Sequence, residues 1–260
     1  MSENGGGEPV LEVTALRRTF GGLVAVNDVD FSIPERSIVS LIGPNGAGKT
    51  TMFNVLSRLY EASDGRVDFD GRNVLKMPAH RIADVGIART FQNVALFPAL
   101  TVLENVMMGA HSRGKVGFTR AALRIGVGKE ERETRDMCRD LLERLDLGRF
   151  ADRPAAGLPF GTLKRIEFAR ALASQPRLLM LDEPANGLTH GEVDELGGTI
   201  GAIRDQFDLT ILLVEHHMAM VMSISHHIVV LDFGRKIAEG PPELIRNDPK
   251  VIEAYLGAPA

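Results

Sequence analysis

The sequence predicts an α/β fold built around a mostly parallel sheet. Apolar segments of strand length alternate along the chain with segments of helical periodicity. A short apolar strand at residues 37–42 runs directly into a Gly-rich loop, and a helix follows at residues 50–59. A second apolar strand, at residues 177–181, ends in two acidic residues, which is typical of the ligand-binding edge of a parallel sheet.

The other elements continue this alternation. β-Structure is predicted at residues 10–33, and further strands at 66–69, 87–91, 209–214 and 227–232. Helices are predicted at residues 101–110, 130–147, 163–174, 191–206, 241–246 and 249–256. The basic, Gly-rich segment 112–128 is either a solvated loop or a contact surface for a partner or for lipid headgroups.

Length and composition narrow the class of protein. A chain of 260 residues that is 44% hydrophobic suits one large α/β domain, predicted at residues 10–260 after a flexible tail at residues 1–9. The net charge of -4 gives no general reason to expect nucleic-acid binding. The single cysteine, Cys138, excludes an internal disulfide and fits a reducing cytosol. The apolar runs are far shorter than the roughly 20 residues of a spanning helix, so a membrane role would need a partner.

Residues 43–50 form a complete phosphate-binding motif, G-x-x-x-x-G-K-[ST]. Its glycines let backbone N–H groups point at phosphate oxygens, and the following helix adds the positive end of its dipole. Lys49 is predicted to neutralise phosphate charge, and the Thr50 hydroxyl to ligate Mg²⁺. A chance Gly-rich turn is the alternative, but it would not explain the flanking strand and helix. The predicted ATP-binding residues of this loop are Gly43, Pro44, Asn45, Gly46, Ala47, Gly48, Lys49, Thr50 and Thr51.

Asp182 and Glu183 follow the apolar strand 177–181. Asp182 is predicted to hold Mg²⁺ through water, and Glu183 to polarise the attacking water as a general base. The alternative is a polar strand end that only caps a loop. The phosphate-binding motif upstream favours the catalytic interpretation.

These features belong to a larger pattern. The acidic pair is preceded by the segment 158–162 and followed by Glu215 and His216. From about residue 11 to residue 256, the chain resembles the ATPase subunits of ABC (ATP-binding cassette) transporters. The resemblance implies a P-loop NTPase (RecA-like) core sheet, an antiparallel β subdomain, and an α-helical subdomain at about residues 93–175.

The resemblance implies roles for three more residues. Phe20 lies where the family has an aromatic that stacks on adenine, although a core phenylalanine is the alternative. Gln92 corresponds to a glutamine that touches Mg²⁺ and the attacking water, in a loop that responds to the membrane partner. On its own, Gln92 would be an ordinary surface amide. His216 corresponds to the histidine that contacts the γ-phosphate.

Histidines also cluster at residues 216–217 and 226–227. A metal site there is conceivable, but no nearby cysteine or regular ligand spacing supports it. His217, His226 and His227 are therefore expected to be incidental.

Residues 158–162 depart from the family's L-S-G-G-Q signature. Leu158 and Gly161 are kept, whereas Pro159, Phe160 and Thr162 replace serine, glycine and glutamine. Pro159 lacks both the hydroxyl and the backbone N–H, although proline is tolerated at a helix start. In the family, two cassettes pair head to tail, and each ATP lies between one P-loop and the signature of the other chain. Pro159, Gly161 and Thr162 are therefore expected to face the partner's ATP.

The altered signature predicts an unequal pair of ATP sites. Thr189, in the following D-loop, stands where an aspartate is usual. The chain is expected to pair with a different cassette that has an ordinary signature, and a homodimer is the alternative. ATP on this chain's own P-loop would then be hydrolysed normally, and the partner's ATP more slowly.

Several segments are similar to the ATPases of branched-chain amino acid importers: residues 20–26, 89–93, 214–218 and 252–257, and the long insert after residue 110. This similarity implies uptake of small solutes through separate transmembrane permeases, with a substrate-binding protein as a further partner. It also implies ATP and Mg²⁺ as cofactors, no nucleic acid, and a place at the cytoplasmic face of the membrane. The ATPase of a lipopolysaccharide-type exporter is the alternative. Residues 92–100 would dock on the permease, with burial of their apolar side chains as the alternative.

Two other classes of cassette protein fit less well. Translation factors carry two cassettes in one chain, and DNA-repair types carry a long coiled coil, for which the sequence has no heptad run. A non-hydrolysing cassette conflicts with the presence of Lys49, Asp182, Glu183 and His216.

Overall fold

The computed structural model describes residues 9–90, 95–110 and 127–256. The strands are β1 Pro9–Phe20, β2 Leu23–Pro34, β3 Ile38–Ile42, β4 Asp64–Phe69, β5 Arg72–Asn73, β6 Ile87–Arg89, β7 Leu178–Asp182, β8 Thr210–Val214, β9 His227–Asp232 and β10 Arg235–Gly240. The helices are α1 Lys49–Leu56, α2 Val102–Ala110, α3 Val127–Arg144, α4 Phe160–Leu172, α5 His190–Phe207, α6 Met218–Ile224, α7 Pro242–Arg246 and α8 Pro249–Leu256. The predicted α/β fold is confirmed.

The chain divides into two compact units. The first combines Met1–Ile82 with Arg177–Ala260, and the second spans Ala83–Pro176. Residues 1–8 of the predicted N-terminal tail lie outside the described residues, and so does the segment 111–126, which holds most of the basic loop. Pro9 already belongs to β1.

An antiparallel sheet in the first unit has the strand order β2-β1-β4-β5. Its hairpin of β1 and β2 pairs Val13 with Phe31 and Leu16 with Val29, and all four side chains are buried. In β2, Val29, Phe31 and Ile33 are buried at alternate positions, as expected of a sheet with one covered face, whereas a register shift between Val13 and Leu16 interrupts this period in β1.

The core sheet of the first unit has the order β10-β9-β3-β8-β7. Strand β3 pairs in parallel with β8 and β9, and β7 pairs in parallel with β8, whereas β10 is antiparallel to β9. Every residue of β3, β7 and β8 is buried, as expected of parallel strands covered on both faces. The pairings of Leu41 and Asp182 with Val214 align the carboxyl ends of these three strands, so the residues that follow them share one edge of the sheet.

The second unit contains β6, α2, α3 and α4. The buried side chain of Asn105, on α2, holds the segment before that helix. It accepts from the Phe97 N–H (2.7 Å) and donates to the Phe97 carbonyl oxygen (3.0 Å). Among the described residues, no helix combines the length and apolarity needed to cross a membrane.

Candidate active site

The loop after β3 has a backbone that requires glycine. Gly46 and Gly48 have φ values of 81° and 100°, in the left-handed region that side chains disfavour. A Cβ on Gly48 would lie 2.5 Å from the Ala25 carbonyl oxygen, and one on Gly43 would lie 2.1 Å from the Leu231 carbonyl oxygen. The loop is therefore packed against β2 and β9 at two positions where only hydrogen fits.

Lys49 begins α1 and is buried inside this loop. Its Nζ donates to the carbonyl oxygens of Gly43 (2.7 Å) and Pro44 (2.9 Å). Burial lowers the pKa of the Lys49 ammonium, and the negative charge of Glu183 opposes that change. The cation from the loop after β3 and the carboxylate from the loop after β7 therefore act on one another across the sheet edge.

The two acidic residues differ in backbone conformation. Asp182 is buried at the end of β7, whereas Glu183 has a φ of 45°, in the left-handed region. The Glu183 N–H donates to the Val214 carbonyl oxygen (2.8 Å), which ties the turn after β7 to the last residue of β8. Such a conformation costs on the order of 1–3 kcal/mol for a residue with a side chain, and nine other non-glycine residues in the described part of the chain share it, so its neighbours, rather than this strain, indicate the role of Glu183.

Glu215 joins the loops after β7 and β8, and this role is not apparent from the sequence. Glu215 is 1% exposed. Its carboxylate accepts hydrogen bonds from the Ala185 N–H (2.7 Å) and the His216 N–H (2.9 Å). It also lies 3.0 Å from Nδ1 of His217 and accepts from the His217 N–H (3.3 Å). Backbone donors therefore compensate the buried negative charge, and the carboxylate ties the segment after Glu183 to His216.

We predict that Glu215→Ala lowers the free energy of unfolding by about 3 kcal/mol, because it leaves several buried N–H groups without an acceptor. Urea denaturation followed by circular dichroism measures this change. The matched control is Glu195→Ala on the exposed face of α5, which should shift stability by less than about 0.5 kcal/mol. Equal stabilities for the two variants would contradict the role given to Glu215.

His216 and His217 stack at the same edge, with ring centroids 4.3 Å apart. The side chain of His216 is about half exposed, so it can reach a ligand, whereas His217 is held by Glu215. His217 is therefore not incidental, contrary to expectation. Ligand atoms of Glu215, His216 and His217 lie within 4.8 Å of one another, so the three residues could also hold a metal ion.

His226 and His227 lie elsewhere in the first unit. Nδ1 of His226 accepts from the Ile38 N–H (3.1 Å), which makes His226 part of the scaffold around β3. Burial lowers the pKa of both imidazoles. Their surroundings agree with a structural rather than a ligand-binding role.

Comparison with known proteins decides the family. Residues 26–186 match the family model of ABC transporters, which covers more than half of the chain. The chain belongs to the ABC transporter ATP-binding family. As an ABC ATPase, it hydrolyses ATP to power transport. Residues 235–260 match a second model, described as branched-chain amino acid ATP-binding cassette transporter.

Two relatives illustrate how far this similarity extends. The high-affinity branched-chain amino acid transport ATP-binding protein BraF of Pseudomonas aeruginosa is 45% identical over 250 residues, which cover 96% of this chain and 98% of BraF. LivG of Escherichia coli, which carries the same description, is 43% identical over 251 residues, with 96% and 98% covered. Among solved structures, the ADP conformation of MJ1267, an ATP-binding cassette of an ABC transporter, matches with a TM-score of 0.84 and 30% identity. That match covers 97% of this chain and all of MJ1267.

The ABC signature segment starts α4. Pro159 is the N-cap of that helix, and its carbonyl oxygen accepts from the Leu163 N–H (3.0 Å). Phe160 is exposed, with the Lys164 ammonium 5.5 Å from its ring centroid. The helix thus begins three residues before the predicted start, because proline without an N–H suits this position. A Cβ on Gly161 would meet nothing within 4 Å, so this glycine leaves open space at the helix start.

Thr189, the unusual residue of the ABC D-loop, has a local structural role. It is the N-cap of α5 and forms a capping box with Glu192: the Glu192 carboxylate accepts from the Thr189 N–H (2.8 Å) and hydroxyl (2.7 Å). These hydrogen bonds lower the pKa of Glu192. A threonine is therefore well suited to start this helix.

Phe20 lies at the end of β1 and is 38% exposed, so it is not a core residue. Its ring packs edge to face on Tyr60 at 5.4 Å, and the Arg18 guanidinium lies 4.3 Å from its centroid. The Arg18 guanidinium thus covers one face of the Phe20 ring, and the rest of the side chain remains accessible to a ligand. Gln92, in contrast, lies outside the described residues.

Proposed function

We propose that this chain is the ATPase of an importer for small solutes such as branched-chain amino acids, which cross the membrane through separate permease subunits. The relatives support this proposal, because both BraF and LivG are described as branched-chain amino acid transport proteins and align over nearly their whole length. They favour import over lipopolysaccharide-type export. Such a subunit would work at the cytoplasmic face of the membrane, with a substrate-binding protein delivering the cargo.

The residues at the sheet edge fit Mg-ATP. The loop holds glycines where any Cβ would collide, it opens into the N-terminus of α1, and it encloses the Lys49 ammonium. These are the features that bind phosphate oxygens. Thr50 at the start of α1 and the buried Asp182 supply the oxygen ligands that Mg²⁺ prefers. The Lys49 ammonium, held inside the loop by the carbonyl oxygens of Gly43 and Pro44, is the observation that carries the ATP site, and the charge of Glu183 acts on the same ammonium.

Each residue would then have a defined task. Lys49 would bind the β- and γ-phosphates, and Thr50 and Asp182 would hold Mg²⁺, which when bound would supply positive charge to the phosphates. Glu183 accepts the proton of the attacking water, and His216 contacts the γ-phosphate. Glu215 holds the backbone of both loops so that Glu183 and His216 keep their places. We assign Gln92 to Mg²⁺ and the water on the family resemblance alone.

The partner cassette supplies the other half of each ATP site in this proposal. Pro159, Gly161 and Thr162 of this chain would face the partner's ATP, without the serine hydroxyl of the usual signature. We infer that the chain pairs with a different cassette whose signature is ordinary. A purified homodimer that hydrolyses ATP as fast as a cassette with an intact signature would contradict this pairing.

Phe97 and Pro98 are candidates for contact with the permease, because both are exposed at the surface of the second unit. Burial of these two side chains, the alternative interpretation, does not hold within this chain. Asn105 keeps the Phe97 backbone in place. Docking of these residues would connect the permease to the loop that contains Gln92.

Uptake of radiolabelled leucine tests the proposed function. A bacterial strain that lacks its own importer ATPase is made to express this chain. The permeases and the second cassette encoded beside this chain's gene are expressed with it. We expect ATP-dependent leucine uptake with the parent chain and background uptake with Glu183→Gln. Export of a lipid-linked substrate by the same assembly, with no uptake of any amino acid, would support the exporter alternative and contradict import.

A further inference from the structure

The turn between β9 and β10 lies against the phosphate-binding loop. It consists of Phe233 and Gly234, whose φ values of 41° and 76° are both in the left-handed region, as in a two-residue hairpin turn. Phe233 lines a cavity of about 580 Å³ together with the loop residues 44–47, and it is 85% exposed. Gly234, by contrast, is buried. The backbone at Gly234 is therefore the part of the turn that packs inside the molecule.

Gly234 makes hydrogen bonds to two other segments of the chain. Its N–H donates to the carbonyl oxygen of Ala47, inside the phosphate-binding loop (2.9 Å). Its carbonyl oxygen accepts from the N–H of Asn27, on β2 (2.8 Å). Both backbone polar groups of this one residue thus serve to join the loop to β2.

The close approach of these three segments requires glycine. A Cβ on Gly234 would lie 2.7 Å from the Ala25 carbonyl oxygen, and a Cβ on Gly48 would lie 2.5 Å from the same oxygen. The Cβ on Gly48 would also lie 3.4 Å from the Cα of Gly234. Since the obstacle in each case is backbone, a side chain at Gly234 could be accommodated only if β2 or the turn moved, and the turn is bonded to the loop.

The hydrogen bond to Ala47 also sets the direction of the following N–H group. The Ala47 carbonyl and the Gly48 N–H belong to one planar trans peptide, in which they point in opposite directions. Because the carbonyl points at Gly234, the Gly48 N–H points away from the turn. The Ala47 N–H donates to the Pro44 carbonyl oxygen (3.2 Å), which also accepts from the Lys49 ammonium (2.9 Å). Hydrogen bonds therefore connect the turn to the lysine inside the loop.

We infer that Gly234 is a positioning residue for ATP binding: by holding the Ala47 carbonyl oxygen, it directs the Gly48 N–H toward a phosphate oxygen of the nucleotide. This inference rests on the proposed ATP site and adds the turn between β9 and β10 to it. Backbone N–H groups that point into such a loop bind phosphate oxygens. Gly234 acts through the loop peptide, so its effect falls on nucleotide binding and not on proton transfer to Glu183.

Gly234→Ala tests the inference. The added Cβ would displace the turn from β2 and with it the Ala47 carbonyl oxygen. We expect Kd and KM for MgATP to rise about 10-fold, the effect of one misdirected hydrogen bond to a charged phosphate, with kcat within about three-fold of the parent. Titration with a fluorescent nucleotide gives Kd, and steady-state ATPase assays give KM and kcat.

The matched control is Gly71→Ala, in the turn between β4 and β5 of the same compact unit. Gly71 has a φ of 72°, close to that of Gly234, but a Cβ there would meet nothing within 4 Å. The control therefore introduces the same backbone strain without disturbing the phosphate-binding loop. It should bind and hydrolyse MgATP as the parent does.

A second measurement needs no variant. The Gly234 N–H is bonded to Ala47 in the protein without nucleotide, so its hydrogen exchange should be at least about 10-fold slower than in an unstructured peptide. Exchange of the parent protein followed by NMR measures this rate. Exchange of the Gly234 amide at the unprotected rate would overturn the inference, even if Gly234→Ala failed to fold.

The variants separate the remaining possibilities. An unchanged Kd for folded Gly234→Ala overturns the inference and leaves the ATP site intact, and so does a fall in kcat with KM unchanged. An equal rise in Kd for Gly71→Ala would assign the effect to strain in any hairpin turn and would also overturn it. If the parent protein itself fails to bind MgATP, the proposed function is wrong, which is seen before any variant is made.

Discussion

Glu183→Gln should abolish turnover while keeping ATP bound. The amide of glutamine cannot accept the proton of the attacking water, so we expect kcat to fall by about 10²- to 10⁴-fold. Binding should persist, because Lys49 and the loop glycines are unchanged and the φ of 45° at this position is the same for both residues. Phosphate release under steady-state conditions gives kcat, and filter retention of radiolabelled ATP gives the amount bound.

Glu61→Gln is the matched control for this substitution, since Glu61 is exposed in the same compact unit. It should hydrolyse ATP at the parental rate. If Glu183→Gln also turned over at the parental rate, Glu183 would not be the base, and the strain at this residue would need another explanation.

Contiguous motifs explain why the loop after β3 could be predicted from the sequence. Gly43, Gly48 and Lys49 lie within one short segment whose spacing alone specifies a phosphate-binding turn. The apolar strands β3 and β7 around this site were also readable, because strands buried on both faces give uninterrupted apolar runs. The fold around the site follows from the same runs.

Glu215 escaped prediction for a different reason. Its carboxylate accepts from the Ala185 N–H, which is a contact between distant parts of the chain. The direction of a side chain and its long-range partner depend on how the strands are ordered in the sheet, which one sequence does not reveal. In the sequence, only the position of Glu215 directly before His216 indicates that this residue has a role at the site.

Strands β5 and β10 and helix α6 were missed, because they are short or their sequences lack a clear period. Strand β10, Arg235–Gly240, is half-buried at the edge of the core sheet and contains charged residues at three of six positions. Helix α6, Met218–Ile224, is short, so its apolar run could not be separated from a loop or strand. Phe20 remained ambiguous for a similar reason, since an aromatic at a hairpin end can face either the core or solvent.

The second large effect is expected for Lys49→Ala, which should weaken the binding of MgATP. Lys49 is the buried cation inside the loop, and alanine removes its charge while preserving α1. We expect the affinity for MgATP to fall about 100-fold, on the order of 3 kcal/mol, because a charge-assisted contact in a buried site is lost. Lys76→Ala, at an exposed position, should bind as the parent does.

The most direct test of the central claim is therefore an equilibrium titration of the parent protein and Lys49→Ala with ATP in the presence of Mg²⁺. The account predicts saturable binding by the parent and a roughly 100-fold larger Kd for the variant, with both proteins equally folded by circular dichroism. Equal Kd values for two folded proteins would contradict the placement of ATP in the loop after β3.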